Sequence, residues 1–237
     1  MKAVLFDLGH TLIDYYCDWK GPEERGVGRI YDLVHQASPQ VDRTEFTAYL
    51  SEQLVRAREL KYKKMVEVPL VDLLGACLDR YGCLDEDNLQ QSLEIFYRVL
   101  LEDRQLVKGA AELLARIKER GLSIGLISDV AWGLPSEFPM RDIRHFGLDA
   151  YFDDYTFSTD VGLRKPHPKI FKIALSNLGV DAAEAMYVGN SIVQDIKGAK
   201  GVGMTAVLKR SGYCPIEEGV VPDHTVSDLD EVMGLIE

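Results

Sequence analysis

Residues 2–12 read KAVLFDLGHTL. Ala3, Val4, Leu5 and Phe6 form a short apolar run of the kind that makes a buried strand, and Gly9 signals a turn behind it. Asp7 stands where strand and turn meet. An unpaired carboxylate is expensive at such a place, so cations or a metal must balance it, and a carboxylate held that way is able to act as a nucleophile. A turn or cap residue is the plain alternative, and other segments have to decide between them.

Similar runs recur at residues 124–127, 155–157, 186–188 and 205–208. Helical patterns lie between several of them. Ala110, Leu113, Leu114 and Ile117 recur at helical spacing before Gly121, and Ile170, Phe171, Ala174, Leu175 and Leu178 do so before Gly179. Alternation of strand and helix predicts an α/β fold with a doubly wound parallel sheet. Residues 15–105 break the rhythm because they carry helical signals alone. Asp42 with Glu45 makes a capping box ahead of Phe46, Leu50 and Leu54. Pro69 opens a helix burying Leu70, Leu74, Leu78 and Tyr81, which Gly82 ends; from Asp85 onward Leu89, Leu93, Phe96 and Leu100 share a face. The expected organisation is a core of residues 1–14 and 106–237 with a helical cap domain of residues 15–105. Ligands bind outside the carboxyl ends of strands in open α/β sheets, so an insertion leaving from that edge is placed to cover the site. Its connections, near residues 14–20 and 106–109, are the hinge candidates.

The bulk properties narrow the function classes. With 27 Lys and Arg against 38 Asp and Glu, the 237-residue chain has a formal charge of −11 and repels phosphodiester backbones, which argues against nucleic acid as a partner. The apolar run stopped by Asp7 is too short for a signal segment or a membrane span, so a cytoplasmic protein without a membrane partner is expected. The cysteines at 17, 77, 83 and 214 form no C-x-x-C pair and suit a reducing compartment as small core residues. Oligomeric state leaves no mark on the sequence.

Three further segments carry chemistry. Ser128, followed by Asp129, presents a hydroxyl at the carboxyl end of the second main strand; both residues are candidates for substrate binding, a turn being the alternative. In GLRKPHP (residues 162–168) Pro166 forces Lys165 into an extended conformation and Pro168 suits a first helical turn. A lysine held in such a loop is fitted to neutralise an anion. In YVGNSIVQDIKGA (residues 187–199) Gly189 permits a sharp turn, Asn190 offers a neutral oxygen and Asp195 a charge about one helical turn later. Hard oxygen donors with few carboxylates match Mg²⁺. Helix capping by Asn190 and a solvated Asp195 are the alternatives.

In this order the four segments resemble the haloacid dehalogenase superfamily, whose members are mostly phosphatases, and the resemblance spans essentially the whole chain. It consists of Asp7-x-x-x-Thr11, the strand-end Ser128, Lys165-Pro-x-Pro168, and Gly189 followed by Asp195-Ile-x-Gly-Ala199. The insertion looks like that superfamily's C1 cap. The resemblance implies that Asp7 attacks the phosphorus of a small phosphorylated substrate, that Thr11, Ser128 and Lys165 hold the phosphate, and that Mg²⁺ sits among Asp7, the Gly9 carbonyl, Asn190 and Asp195. Water then hydrolyses an aspartyl phosphate.

Two positions depart from that pattern. Gly9 replaces the aspartate that serves as general acid and base, a role typically contributing ~10²–10⁴-fold. His10 is the substitute that suggests itself, since an imidazole near neutral pKa is able to donate a proton. Asn190 replaces an aspartate and removes a charge from the metal site. The same neutral residue suits a metal-independent 2-haloacid dehalogenase, where Asp7 attacks carbon, while Gly9, Asn190 and Asp129 together also suit a catalytically weak phospho-ligand-binding protein. In the insertion, Lys61, Lys63 and Lys64 read as a solvated basic face. Arg25 and Arg29 are candidates for a second anionic group, and Tyr15, Tyr16 and Trp19 either line the cleft or pack the hinge.

Overall fold

A computed structural model describes residues 1–16, 18–212 and 219–236, so Cys17 and Cys214 lie outside the described residues. The first strand, β1 (Ala3–Phe6), is buried along its whole length, as a central strand covered on both faces must be. After it the chain makes the two-residue strand β2 (Ile13–Asp14) and then four helices, α1 (Lys20–Ala37), α2 (Arg43–Lys64), α3 (Leu70–Arg80) and α4 (Glu86–Leu101), before returning through β3 (Gln105–Leu106). Beyond it come α5 (Ala110–Glu119), β4 (Ser123–Ser128), α6 (Glu137–His145), β5 (Asp154–Phe157), α7 (Ser158–Val161), α8 (Pro168–Leu178), β6 (Ala185–Gly189), α9 (Lys197–Val202), β7 (Thr205–Lys209) and β8 (His224–Val226).

The main sheet has six parallel strands in the order β5-β4-β1-β6-β7-β8. The chain winds outward from β1 to β5, then crosses back to β6 on the other side. Direction reverses at β1, and the crevice outside its carboxyl end is where ligands bind in such sheets. The doubly wound α/β expectation holds.

Local signals explain the helix limits. The Asp42 side chain accepts the Glu45 amide at 2.9 Å and the Asp85 side chain accepts the Asn88 amide at 2.7 Å, so both helices start where their caps lie. Phe46, Leu50, Leu54, Leu70, Leu74, Leu78, Leu93, Phe96 and Leu100 are all buried, whereas Tyr81 and Leu89 are only partly so. These side chains join those of β1 and β4 in one continuous apolar cluster. Cys77 and Cys83 are free thiols within it, and burial pushes Cys77 up to about 12. No helix among the described residues is long and apolar enough to cross a membrane.

The β2–β3 pair joins the chain's two passages between sheet and helices, Ile13 facing Leu106 and Asp14 facing Gln105. Beside it Asp142 of α6 is buried and accepts three bonds: from Tyr15 at 2.8 Å, Tyr97 at 2.7 Å and Arg104 at 2.5 Å. Tyr15 follows β2, Arg104 precedes β3 and Tyr97 belongs to α4. One carboxylate therefore ties both passages and a helix to the sheet side. Breaking a buried ion pair leaves the other charge uncompensated, so Asp142→Ala is expected to lower unfolding free energy by about 3–5 kcal/mol, read as a shifted urea midpoint.

Candidate active site

Asp7 lies just past β1, Ser128 ends β4 and Gly189 ends β6, three adjacent strands whose carboxyl ends meet. Lys165 enters from the loop before α8. Its Nζ donates to Asp7 Oδ1 at 2.6 Å and to Asp195 Oδ1 at 2.7 Å, and lies 3.1 Å from the Tyr187 hydroxyl. All four residues are buried. Thr11 donates to Asp7 Oδ2 at 3.1 Å, and the Lys165 amide donates to Asp129 Oδ1 at 3.0 Å.

Burial pushes the Asp7 carboxyl up to about 7; Lys165 pulls it down and Asp195 pushes it up again. Lys165 is driven the other way. Burial alone lowers its pKa, but Asp195 and Asp7 outweigh that and hold it well above the usual lysine range. Lys165 is thereby kept as an ammonium beside Asp7.

Asp195 has both oxygens committed, Oδ1 to Lys165 and Oδ2 to the amides of Asn190 at 3.0 Å and Ser191 at 2.9 Å. It positions the lysine and the β6 turn. The amide of Asn190 packs against Asp7 Oδ2, the Gly9 carbonyl and Thr11 Oγ1. In the orientation that satisfies its neighbours, Nδ2 donates to Gly9 O at 3.3 Å and to Asp7 Oδ2 at 3.2 Å. Turned the other way, its carbonyl joins those of Asp7 and Gly9 in a set of hard oxygens that suits Mg²⁺ chemically, with a single formal charge. Among the described residues no three acidic, His or Cys side chains come together as a metal cluster.

Above these residues opens a cleft of about 470 Å³, lined at its base by Asp7, Gly9, Ser128, Asp129, Lys165 and Asn190 and higher up by Tyr15, Trp19, Leu54, Arg58, Lys61, Trp132 and Phe138. The upper part is largely apolar, and its cations are paired. Arg58 donates to both Glu23 oxygens, and Oε2 also accepts the Trp132 indole at 2.9 Å. Lys61 is buried and lies 2.7 Å from Glu67, so it is no part of a solvated face, unlike the exposed Lys63 and Lys64. Arg25 and Arg29 both pair with Glu102 and do not line the cleft. Tyr15 does double duty, lining the cleft and bonding Asp142; Trp19 lines it against Trp132, while Tyr16 bonds Val99 O and Glu102 instead.

Residues that the sequence reading passed over are Glu67, Arg164 and Tyr187. Glu67 is buried and accepts from Arg164 at 2.6 Å and Ser158 at 2.5 Å. The one signal for it was charge inside an apolar stretch, VEVPL, at residues 66–70. His10 and Trp132, both lining the cleft, adopt left-handed φ values of 59° and 52°, conformations that non-glycine residues hold only when their surroundings impose them.

Residues 1–203 match the family model for haloacid dehalogenase-like hydrolases, and the chain belongs to that family. It is a hydrolase of that type. A glyceraldehyde 3-phosphate phosphatase of Methanocaldococcus jannaschii is 28% identical over 237 residues, covering 100% of this chain and 97% of the relative. Two solved structures share the fold. A HAD phosphatase from Thermococcus onnurineus is similar at TM-score 0.67 and 24% identity, covering 100% of this chain and 98% of its own. A 2-haloacid dehalogenase from Pseudomonas syringae pv. tomato is similar at TM-score 0.69 and 25% identity, with coverage of 100% and 98%.

The Gly189 backbone explains why that position takes no side chain. A Cβ there would lie 2.4 Å from Asp195 Cγ, whereas one at Gly201 of α9 meets nothing within 4 Å. Gly189→Ala should therefore displace Asp195 and lower the thermal midpoint by several degrees, at about 2–4 °C per kcal/mol for a chain of this size. Gly201→Ala should leave it unchanged or raise it. Thermal unfolding of the two variants side by side checks this.

Proposed function

We propose that this protein is a Mg²⁺-dependent phosphatase of small phosphorylated metabolites, with Asp7 as nucleophile, and that residues 15–105 form its cap. The observation that carries the reading is the Asp7–Lys165 pair at 2.6 Å, set at the carboxyl end of the central strand. Support also comes from the relatives that carry phosphatase names, among them the Methanocaldococcus jannaschii protein.

In this reading the Lys165 ammonium and the hydroxyls of Thr11 and Ser128 hold the phosphate in line with Asp7, and preorganised charge supplies most of the rate. An Asp7 oxygen bonds to phosphorus as the ester oxygen leaves, giving an aspartyl phosphate; water attacks that phosphorus, and Asp7 is released with phosphate. Mg²⁺, held by Asp7, the Gly9 carbonyl and Asn190, would neutralise charge on the phosphoryl oxygens. Asp195 contributes by fixing Lys165. Helices α1–α4 cover the cleft and exclude water from the acyl phosphate.

A metal-free dehalogenase is the second reading, and one observation favours it: the Asn190 amide reaches the very oxygens that would bind Mg²⁺. A phosphate-release screen over sugar phosphates, nucleotides and phosphorylated acids separates the two. Release is expected with Mg²⁺, lost in EDTA and absent in Asp7→Asn. Turnover of 2-chloropropionate that EDTA leaves untouched would favour dehalogenation. Asn190→Asp adds a charged ligand and should lower the Mg²⁺ concentration for half-maximal activity by roughly an order of magnitude, measured by metal titration.

A further inference from the structure

Expulsion of an alkoxide from a phosphate ester requires a proton, and Gly9 has none to give. Four carboxylates line the cleft among the described residues: Asp7, Glu23, Asp129 and Asp142. Three of them have both oxygens engaged. Asp7 is held by Lys165 and Thr11, Glu23 by Arg58 and Trp132, and Asp142 by Tyr15, Tyr97 and Arg104. Asp129 differs. Its Oδ1 accepts the Lys165 amide, while its buried Oδ2 has no hydrogen-bond partner and lies 3.7 Å from Arg164 Nε. It follows Ser128 at the end of β4, the strand next to β1, and so belongs to the same edge as Asp7.

We propose that Asp129 is the general acid and base of this site, a reading that rests on the phosphatase function above. As Asp7 bonds to phosphorus, the bond to the ester oxygen breaks, its electron pair goes to that oxygen, and the Asp129 carboxyl delivers the proton that makes it an alcohol. The resulting Asp129 carboxylate takes a proton from the water that attacks the aspartyl phosphate. The bond from phosphorus to Asp7 then breaks, and both side chains return to their starting forms.

The surroundings shift Asp129 toward its protonated form. Burial pushes the Asp129 carboxyl above the ordinary aspartate range, against the pull of Arg164 and of Lys165 with its amide; Asp195 pushes it further up. Asp7 and Lys61 are the other charged groups that feel it. His10 is worse placed as an acid. Burial lowers its imidazole pKa against the opposing pull of Asp14, 3.5 Å from its Nδ1, and so moves the ring away from the protonated form an acid needs.

The test compares an unactivated alkyl phosphate with p-nitrophenyl phosphate, whose leaving group departs without a proton, in the wild type and in Asp129→Asn. That variant keeps the shape and an oxygen for the Lys165 amide. kcat on the alkyl ester should fall by about 10²–10⁴-fold, and on the nitrophenyl ester by less than about tenfold. Equal losses on both esters, or full alkyl activity in the variant, overturn the proposal alone. So does a selective loss in His10→Gln that Asp129→Asn lacks. A wild type that hydrolyses neither ester overturns the phosphatase reading, and this proposal with it. Should the variant fail to fold, a leaving-group series on the wild type decides: a shallow dependence of kcat on leaving-group pKa is expected, and a steep one is the contrary result.

Discussion

Lys165 lies between two buried carboxylates, Asp7 and Asp195, at 2.6 and 2.7 Å, with the Tyr187 hydroxyl completing its shell. Three charges this close and this dry must be balanced by fixed dipoles, because water is not there to do it. The surrounding backbone is arranged accordingly. The amides of Asn190 and Ser191 point at Asp195, the Lys165 amide points at Asp129, and Gly189 leaves room for Asp195 to approach. The glycine-rich run after β6 is thus a packing requirement of the ion cluster. Gly198 serves the same end more distantly, since a Cβ there would lie 2.3 Å from the Phe171 ring and drive α9 away from α8.

Much of this was legible in the sequence because it is local. The apolar runs of β1, β4 and β6 each end in a residue of the site, and Pro168 starts α8 just after Lys165, so motif order and strand ends predict the edge at which Asp7, Ser128, Lys165 and Asn190 converge. What stayed hidden was contact between distant segments. Asp195 reads as a charge one helical turn after Asn190; its contacts with Lys165 and the amides of Asn190 and Ser191 depend on a chain that widens after Ser191, where the Ile196 amide reaches the Ser191 carbonyl at 3.1 Å. Lys61 reads as one of three surface lysines because periodicity cannot reveal a Glu67 folded back upon it. Strand order, with β1 in the middle, is likewise a non-local property, and α6 carries too few apolar residues for its period to show.

The upper cleft offers a ligand mostly apolar walls. Two tryptophans, Leu54 and Phe138 form its walls, and among the described residues every cation that lines it already has a carboxylate partner. A ligand bringing a second negative charge would have to displace one of those carboxylates, whereas an uncharged body displaces only water from apolar surface. The paired Arg58 and Glu23 behave as a neutral wall that nonetheless presents polar edges.

The segment after α2 is joined to the core by backbone as well as by charge. Val66 bridges to Leu163, the Arg164 amide donates to Met65 O at 3.0 Å, and Glu67 takes the Arg164 guanidinium. Arg164 precedes Lys165 directly, so the residue that clasps the helices is covalently next to the one that holds Asp7. The placing of the Glu67 segment and the placing of the ammonium are in this way fixed together.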